Sequence, residues 1–283
     1  MNVDIEHLRS WIGRTETLSD VATLAPLRGL SATLDRDDAP PAAGDAIPPC
    51  WHWLYFLPMH RQSLVGEDGH PRRGGFLPPV PLPRRMWAGS QLEFVATPRA
   101  GQALQRRSHI EDVRLKDGRT GPLVFLKLRH DILADGLPAI IEHQDIVYRD
   151  MPRTGEPSAP ALPAPQDAAW SRAIVPDAVL LFRYSALTFN GHRIHYDRPY
   201  ATAVEAYPGL VVHGPLIATL LLDLLRRQLP DARLKRFRFR ALSPLFDTAP
   251  FRLHGRPDGA GQVQLWAANA QGALAMDASA ELA

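Results

Sequence analysis

The sequence predicts an α+β fold in which an antiparallel sheet wraps around a buried helix, and it predicts this arrangement twice. The chain has 283 residues, enough for two small domains, and its 45% hydrophobic content is sufficient for a packed core. A proline-rich segment divides the chain into two parts, and strand-like runs separated by Pro and Gly turns recur in each part. A long apolar helix in the second part supplies a centre around which a sheet can wrap.

The proline-rich segment covers residues 151–170, MPRTGEPSAPALPAPQDAAW. Its composition shows neither helical nor strand periodicity, which is typical of a linker. We therefore expect an N-terminal domain over residues 1–150 and a C-terminal domain over residues 171–283. Sequence identity between the halves is negligible, so any duplication would concern the fold alone.

In the C-terminal half, Gly214 and Pro215 open the run LIATLLLDLLRRQL, which stops at Pro230. Proline is compatible with the first turn of a helix and ends a helix that it follows, so the run predicts a helix. Because this helix is apolar on nearly all sides, it must be buried. Three strand-like runs follow it and predict an antiparallel sheet: LKRFRFRALSPL, PFRLHGRP and GQVQLWAANA.

The N-terminal half ends in similar runs, which are QLEFVATP, QRRSHIEDVRLKDGRTGPLVFLKLRHDI and PAIIEHQDIVYRD. The second contains Asp117-Gly118, a hairpin signal. Residues 69–90, GHPRRGGFLPPVPLPRRMWAGS, combine many prolines and glycines with the large apolar side chains of Phe76, Met86 and Trp87. Such anchors indicate an ordered loop across a pocket or interface, with its arginines at the rim; a purely structural crossover is the alternative.

Composition argues against several classes of protein. Thirty-two basic residues against 30 acidic ones leave a formal charge of +2, far from the strongly basic surface that nucleic-acid binding requires. A single cysteine, Cys50, excludes a disulfide framework and any multi-thiolate metal site. The longest apolar stretch, residues 215–222, is too short to span a bilayer, and the N-terminus lacks signal-peptide features. We expect a cytoplasmic protein that binds neither nucleic acid nor membrane.

Chemistry-bearing side chains concentrate in residues 182–216, where His192, His195, His213 and Asn190 lie close together. The spacing of three between the first two histidines could place two metal ligands on one turn. No cysteine is nearby and the carboxylates do not form a zincin pattern, so we predict no metal.

A nucleophilic triad is also weakly supported. Ser185 stands in the run YSA, without the Gly-x-Ser-x-Gly elbow that would turn its hydroxyl outward.

The run YSALTFNGHRIHYDRPYA, followed by YPGLVVHGPLIATLLLDL, resembles the hydratase-2 signature of the MaoC-like, hotdog-fold enoyl-thioester hydratases and dehydratases. In that family a carboxylate lies five residues before a catalytic histidine, and a second segment ends in His-Gly at the start of the central helix. On this chain the histidine is His195, the residue five before it is Asn190, and the His-Gly pair is His213-Gly214.

The N-terminal half resembles a narrower subgroup in its loop of residues 69–93 with LEF, in DGRTGPLVFLKLRH and in QDIVYR. That subgroup comprises the double-hotdog type-2 hydroxyacyl-thioester dehydratases and the bacterial mesaconyl- and itaconyl-CoA hydratases. The resemblance covers most of the chain from about residue 50 onward. It implies a double hotdog whose first, degenerate hotdog supplies much of the acyl and CoA pocket.

The resemblance implies a hydro-lyase of the acyl-CoA hydratase or dehydratase type, converting itaconyl-CoA or mesaconyl-C4-CoA to citramalyl-CoA in itaconate degradation. One alternative is a 3-hydroxyacyl-thioester dehydratase of fatty-acid type, whose substrate can ride on an acyl carrier protein. Another is a non-catalytic acyl-CoA binder that kept the fold and lost the acid. The expected partner is an acyl-CoA thioester, with a homodimer possible. Coenzyme A belongs to the substrate, so no separate cofactor is expected.

The implied residue roles agree with the chemistry of the reaction. Hydration of a double bond conjugated to a thioester develops negative charge on the thioester oxygen, and the Gly214 N–H at a helix N-terminus can stabilise that charge. His195 titrates in the range suited to an acid–base group. Asn190 cannot act as a base, but its carbonyl oxygen can orient water. Two further roles stay open: Asp197 either orients His195 or forms a structural ion pair, and His192 either supports this network or caps a turn.

A dicarboxylic substrate would bring a free carboxylate, and burying that charge without a partner would cost several kcal/mol. Arg72, Arg73, Arg84 and Arg85 are the candidate cations, because guanidinium groups suit both carboxylates and the phosphates of coenzyme A. The alternative is that all four are solvated charges. We assign His213 to substrate binding with them.

Overall fold

The computed structural model describes residues 3–118, 121–151, 160–259 and 261–283. Ten strands form one antiparallel sheet in the order β1-β3-β4-β5-β2-β7-β10-β9-β8-β6. The strands are β1 (Thr15–Val21), β2 (Arg84–Phe94), β3 (Ala103–Gly118), β4 (Gly121–Ala134), β5 (Leu137–Arg149), β6 (Trp170–Ile174), β7 (Leu234–Ala241), β8 (Phe251–Pro257), β9 (Gln262–Ala268) and β10 (Leu274–Leu282). The first five belong to the N-terminal half and the last five to the C-terminal half.

Four α-helices accompany the sheet in the described residues: α1 (Ile5–Arg9), α2 (Leu24–Thr33), α3 (Ala178–Leu187) and α4 (Gly214–Gln228). The buried helix predicted after Gly214 is confirmed as α4, whose residues 216–225 are all buried. It packs against β6, β8, β9 and β10, so the C-terminal sheet wraps around it. In the N-terminal half, the shorter α2 packs against α3 and the turn Trp51–Leu54.

The two halves join through β2 and β7, which pair from Gly89↔Arg240 to Glu93↔Arg236. A Cβ at Gly89 would lie 2.4 Å from the carbonyl oxygen of Phe239, so glycine permits the close approach of the two strands. The two predicted sheets are therefore continuous, and neither half exposes its joining edge.

One predicted loop is partly a strand. Residues 84–90 were predicted as part of a loop but form the start of β2, because their backbone pairs with β5. The predicted hairpin joins β3 and β4, and residues 119–120 between these strands lie outside the described residues. Residues 152–159 of the expected linker also lie outside them, and the domain boundaries stay a prediction. Within the described residues, no helix has the length and apolar character needed to cross a membrane.

Candidate active site

His195 lies in a short 3₁₀ turn, Arg193–His195, that follows α3. Its side chain is buried, with 7% of the residue surface exposed. The Nδ1–H donates a hydrogen bond of 2.7 Å to the carbonyl oxygen of Val211. Because a carbonyl only accepts, this bond fixes the hydrogen on Nδ1 and leaves a lone pair on Nε2.

Burial lowers the pKa of His195 to about 4, despite the hydrogen bond to Val211 that favours the protonated form. The nearby His70 lowers this pKa further. His195 is therefore neutral at pH 7, with Nε2 ready to accept a proton, as a general base requires.

His213 is the N-cap residue of α4 and is fully buried. Its ring stacks on that of His195 with 3.7 Å between centroids, and its Nε2 lies 2.8 Å from the hydroxyl oxygen of Ser185. Burial holds its pKa well below the usual value, so it packs behind His195 as a neutral ring. This geometry favours support of His195 over direct contact with substrate.

Gly214 is the first residue of α4, and Pro215 follows it in the first turn. The N–H groups at a helix start have no partner within the helix and form the positive end of its dipole. A Cβ at Gly214 would lie 3.8 Å from the carbonyl oxygen of Trp87, its nearest neighbour. The backbone is therefore open to close approach by an acceptor, as the predicted oxyanion role requires.

Asn190 follows the end of α3, and its Oδ1 accepts a hydrogen bond of 3.0 Å from the backbone N–H of His192. One lone pair of Oδ1 and both amide hydrogens remain for a ligand or water. The same tight turn thus carries Asn190 and His195, although the carbonyl oxygen predicted to orient water already has one internal partner.

Asp197 does not orient His195, because the Nδ1–H of His195 donates to the carbonyl of Val211 instead. Its carboxylate instead accepts hydrogen bonds from the Arg193 guanidinium at 2.8 Å and from the backbone N–H of Tyr200 at 3.1 Å. Of the two roles left open by the sequence, the structure shows the structural ion pair.

The N-terminal half contributes two residues that the sequence reasoning missed. Asp68 and His70 lie next to the histidines of the C-terminal half, with 4.1 Å between the ring centroids of His70 and His192. His192 in turn stands edge-on to His195, with 5.4 Å between centroids. His192 therefore belongs to the network, while its backbone N–H closes the turn at Asn190. A lone Asp-Gly-His in a loop carries little sequence signal for such a role.

Asp68, His70 and His192 have possible metal-ligating atoms that all lie within 4.8 Å of one another. The sequence-based metal candidate paired His192 with His195 instead. One carboxylate oxygen of Asp68 already accepts a hydrogen bond from His70, and the positive charge of Arg85 acts on both residues. A nearby cation disfavours a second one, so the geometry favours a hydrogen-bonded group over a metal centre.

The four candidate arginines differ in their surroundings. The Arg73 guanidinium donates to the carbonyls of Leu82, at 2.6 Å, and Pro83, at 2.7 Å. That of Arg84 binds the Glu205 carboxylate at 3.0 Å. Both therefore serve the fold of the loop and of β2.

The other two arginines make no such contacts. Arg72 is exposed. Arg85 is half-buried, and its guanidinium makes no hydrogen bond or ion pair with the described part of the chain. Its charge nevertheless acts on Asp68, His70 and His192, which places it beside the histidine cluster.

Comparison with known proteins identifies the family of this chain. Residues 50–247 match the family model for hydroxyacyl-thioester dehydratase type 2. The chain is 48% identical over 280 residues to the mesaconyl-C(4)-CoA hydratase of Chloroflexus aurantiacus, covering 96% of this chain and 97% of that protein. It is 27% identical over 266 residues to the mitochondrial hydroxyacyl-thioester dehydratase type 2 of Schizosaccharomyces pombe, covering 83% of this chain and 88% of that protein.

The fold is shared with a solved double-hotdog protein of Mycobacterium tuberculosis, with a TM-score of 0.60 and 13% identity over 96% of each chain. The predicted double hotdog is therefore confirmed. The family match covers the histidine cluster and the start of α4 together with the loop that carries Asp68 and His70. The chain thus belongs to the hydroxyacyl-thioester dehydratase type 2 family and is a double-hotdog hydro-lyase.

Proposed function

We propose that this hydro-lyase adds water to a C5 dicarboxylic enoyl-CoA, mesaconyl-C4-CoA or itaconyl-CoA, to give citramalyl-CoA. The observation that carries the proposal is Arg85, a half-buried cation beside the histidine cluster. A free carboxylate on the substrate would give this guanidinium the directly hydrogen-bonded anion that it lacks in the described part of the chain. The 48% identity to a mesaconyl-C(4)-CoA hydratase supports the same substrate class.

The geometry accommodates hydration of mesaconyl-C4-CoA by the chain's own groups. Nε2 of His195 takes a proton from water as the water oxygen bonds to the β-carbon. The electron pair of the double bond moves towards the thioester oxygen, where the Gly214 N–H stabilises it. The imidazolium then returns the proton to the α-carbon. Asn190 holds the water, and no cofactor beyond the substrate's own coenzyme A takes part.

Arg85 fits this reaction because the substrate carboxylate is attached to the carbon that receives the hydroxyl group. The carboxylate must therefore lie within a few ångströms of the attacking water, next to the histidines on which the charge of Arg85 acts. Arg73 and Arg84 are held by protein partners, so we assign them to structure, and we assign exposed Arg72 to solvent or to the coenzyme A phosphates.

A fatty-acid-type dehydratase remains the second candidate, since the type-2 dehydratase of Schizosaccharomyces pombe is also a relative. The half-buried Arg85 speaks against it, because an alkyl chain would leave its guanidinium without a hydrogen-bond partner. A silent acyl-CoA binder is the third candidate. The base-ready tautomer of His195 speaks against that one. We also propose that the protein acts in itaconate degradation, that it is located in the cytoplasm and that it forms a homodimer.

Substrate kinetics test the proposal. Wild-type kcat/KM should be higher for mesaconyl-C4-CoA than for crotonyl-CoA. The rates are measured from the ultraviolet absorbance of the conjugated double bond. Arg85→Met should lower kcat/KM for the dicarboxylic substrate by roughly 30-fold or more, because it removes one partner of a charge pair that the bound substrate would bury. The same substitution should affect crotonyl-CoA little, and Arg72→Met is the matched control.

A wild-type preference for crotonyl-CoA or a long-chain enoyl thioester would replace this proposal with the fatty-acid dehydratase. Absence of any absorbance change with all of these thioesters would favour the silent binder.

The pKa of His195 predicts the acid side of the pH profile. A base acts only when unprotonated, so activity should fall as the pH drops through the pKa of about 4. We expect kcat/KM to stay nearly constant from pH 7 to about pH 5.5, where an unperturbed histidine would already be mostly protonated. Circular dichroism at each pH separates this effect from unfolding. An acid limb centred near pH 6.5 would contradict the assignment.

A further inference from the structure

The loop before β2 docks directly onto the turn that carries His195. The backbone N–H of Arg193 donates to the carbonyl of Asp68 at 2.9 Å, and the Arg193 guanidinium donates to the carbonyl of Glu67 at 3.1 Å. A Cβ at Gly69 would lie 1.8 Å from the carbonyl oxygen of Gly191, so only glycine permits this contact. The N-terminal half is thus fixed against the catalytic turn at this point.

Asp68 holds the ring of His70 in one orientation. The Nδ1–H of His70 donates to Oδ2 of Asp68 at 3.0 Å, and the His70 backbone N–H donates to Oδ1 at 3.0 Å. An ionised carboxylate only accepts, so the hydrogen lies on Nδ1 and the lone pair on Nε2. A carboxylate behind an imidazole increases the basicity of the opposite nitrogen. Nε2 of His70 is therefore a strong acceptor, on a side chain that keeps 17% of its surface exposed.

The surroundings keep this imidazole neutral. Burial lowers the pKa of His70 to about 4, and the positive charges of Arg85 and Arg73 lower it further against the opposing effect of Asp68. His192 packs on the same ring, and His70 is close enough to lower the pKa of His195. Two neutral imidazoles, His70 and His195, thus stand in one cluster with their Nε2 atoms unprotonated.

Asn190 alone is a poor holder for the attacking water. It cannot take a proton, and one lone pair of its oxygen already accepts the His192 N–H. We propose that His70, oriented by Asp68, is a catalytic residue that holds the attacking water together with Asn190. This inference rests on the proposed hydratase function.

In this arrangement the water donates one hydrogen to Nε2 of His195, which takes it as a proton, and the other to Nε2 of His70, while the water oxygen accepts a hydrogen bond from the Asn190 amide N–H. The oxygen bonds to the β-carbon, the double-bond electron pair moves to the thioester, and His195 returns its proton to the α-carbon. The hydrogen facing His70 stays on the oxygen and becomes that of the product hydroxyl. His70 thus undergoes no net proton transfer.

Two substitutions test the inference on whichever enoyl-CoA the wild type hydrates. His70→Phe keeps a ring to pack on His192 but removes the acceptor, and kcat should fall about 10²-fold with KM changed less than about threefold. Asp68→Asn keeps a partner for Nδ1 but removes the charge, and kcat should fall about tenfold. The matched control is His143→Phe, because His143 pairs with Glu111 at 3.0 Å on another part of the sheet. It should leave kcat unchanged.

A double-mutant cycle separates catalysis from structure. If His70 and Asn190 hold the same water, His70→Phe combined with Asn190→Ala should lower kcat by clearly less than the product of the two single effects. The melting temperatures of the variants should equal that of the wild type, which shows that the substitutions leave the fold intact. A kcat for His70→Phe within threefold of wild type, multiplicative losses in the cycle, or stoichiometric zinc in the purified protein would each overturn the inference and leave the hydratase function standing. A wild type without hydratase activity would overturn both.

Discussion

Replacing His195 with alanine should lower kcat by about 10² to 10⁴-fold and leave the fold intact, since a general acid–base group contributes a factor of this size. The Val211 carbonyl accepts the Nδ1–H of His195 and so fixes the position of its Nε2. Within the described residues, no other histidine of the cluster makes this hydrogen bond, so none can replace the Nε2 of His195. The rate is measured by the absorbance of the enoyl thioester, and circular dichroism reports the fold. His143→Ala, on a remote histidine, is the control. A wild-type rate for His195→Ala would end the assignment.

Substitutions at Asn190 complete this experiment. Asn190→Ala should cost a comparable factor, because water positioning is lost along with the hydrogen bond to the His192 N–H. Asn190→Asp keeps that acceptor and should retain partial activity with an altered pH profile, since a carboxylate beside His195 adds a titrating charge. An aspartate variant with the activity and pH profile of the alanine variant would show that the amide does not act on water.

Replacing Asp223 with alanine should destabilise the protein by about 3–5 kcal/mol, the cost of removing one member of a buried ion-pair network. Asp223 lies on α4 with 1% of its side chain exposed. Its carboxylate accepts hydrogen bonds from Arg36 and Arg172, both at 2.6 Å, and from Arg227 at 2.8 Å. Without it, three partly buried guanidinium groups lose their shared counter-ion, and Arg36 keeps a second one in Asp38.

Denaturant unfolding of the full chain measures this effect as a change in the midpoint at constant slope. The control is Glu281→Ala, which removes a carboxylate that pairs with Lys235 and Arg236 at the exposed surface. Solvent screens that cluster, so its loss should change the free energy of unfolding far less. Equal effects of the two substitutions would show that the ion pair between Asp223 on α4 and Arg36 in the N-terminal half does not stabilise the fold.

The sequence by itself determined the elements whose signals are local. The helix α4 follows from Gly214-Pro215 at one end, Pro230 at the other and an apolar run between them. The runs at β3 to β5 and β7 to β9 follow from alternating residues bounded by turns. His195, Asn190 and Gly214 could be predicted because they lie within one short stretch of chain, where their spacing resembles a known signature.

Only the tertiary structure decided what depends on contacts between distant parts of the chain. No local sequence pattern predicts the pairing of β2 with β7 or the position of Asp68 and His70 against His192. None predicts the different surroundings of Arg73, Arg84 and Arg85 either. The same holds for Asp197, whose nearness to His195 in sequence did not bring its carboxylate to the ring. Hydrogen bonds and charge pairing act at a few ångströms whatever the separation in sequence, so these partners become visible only when the chain is folded.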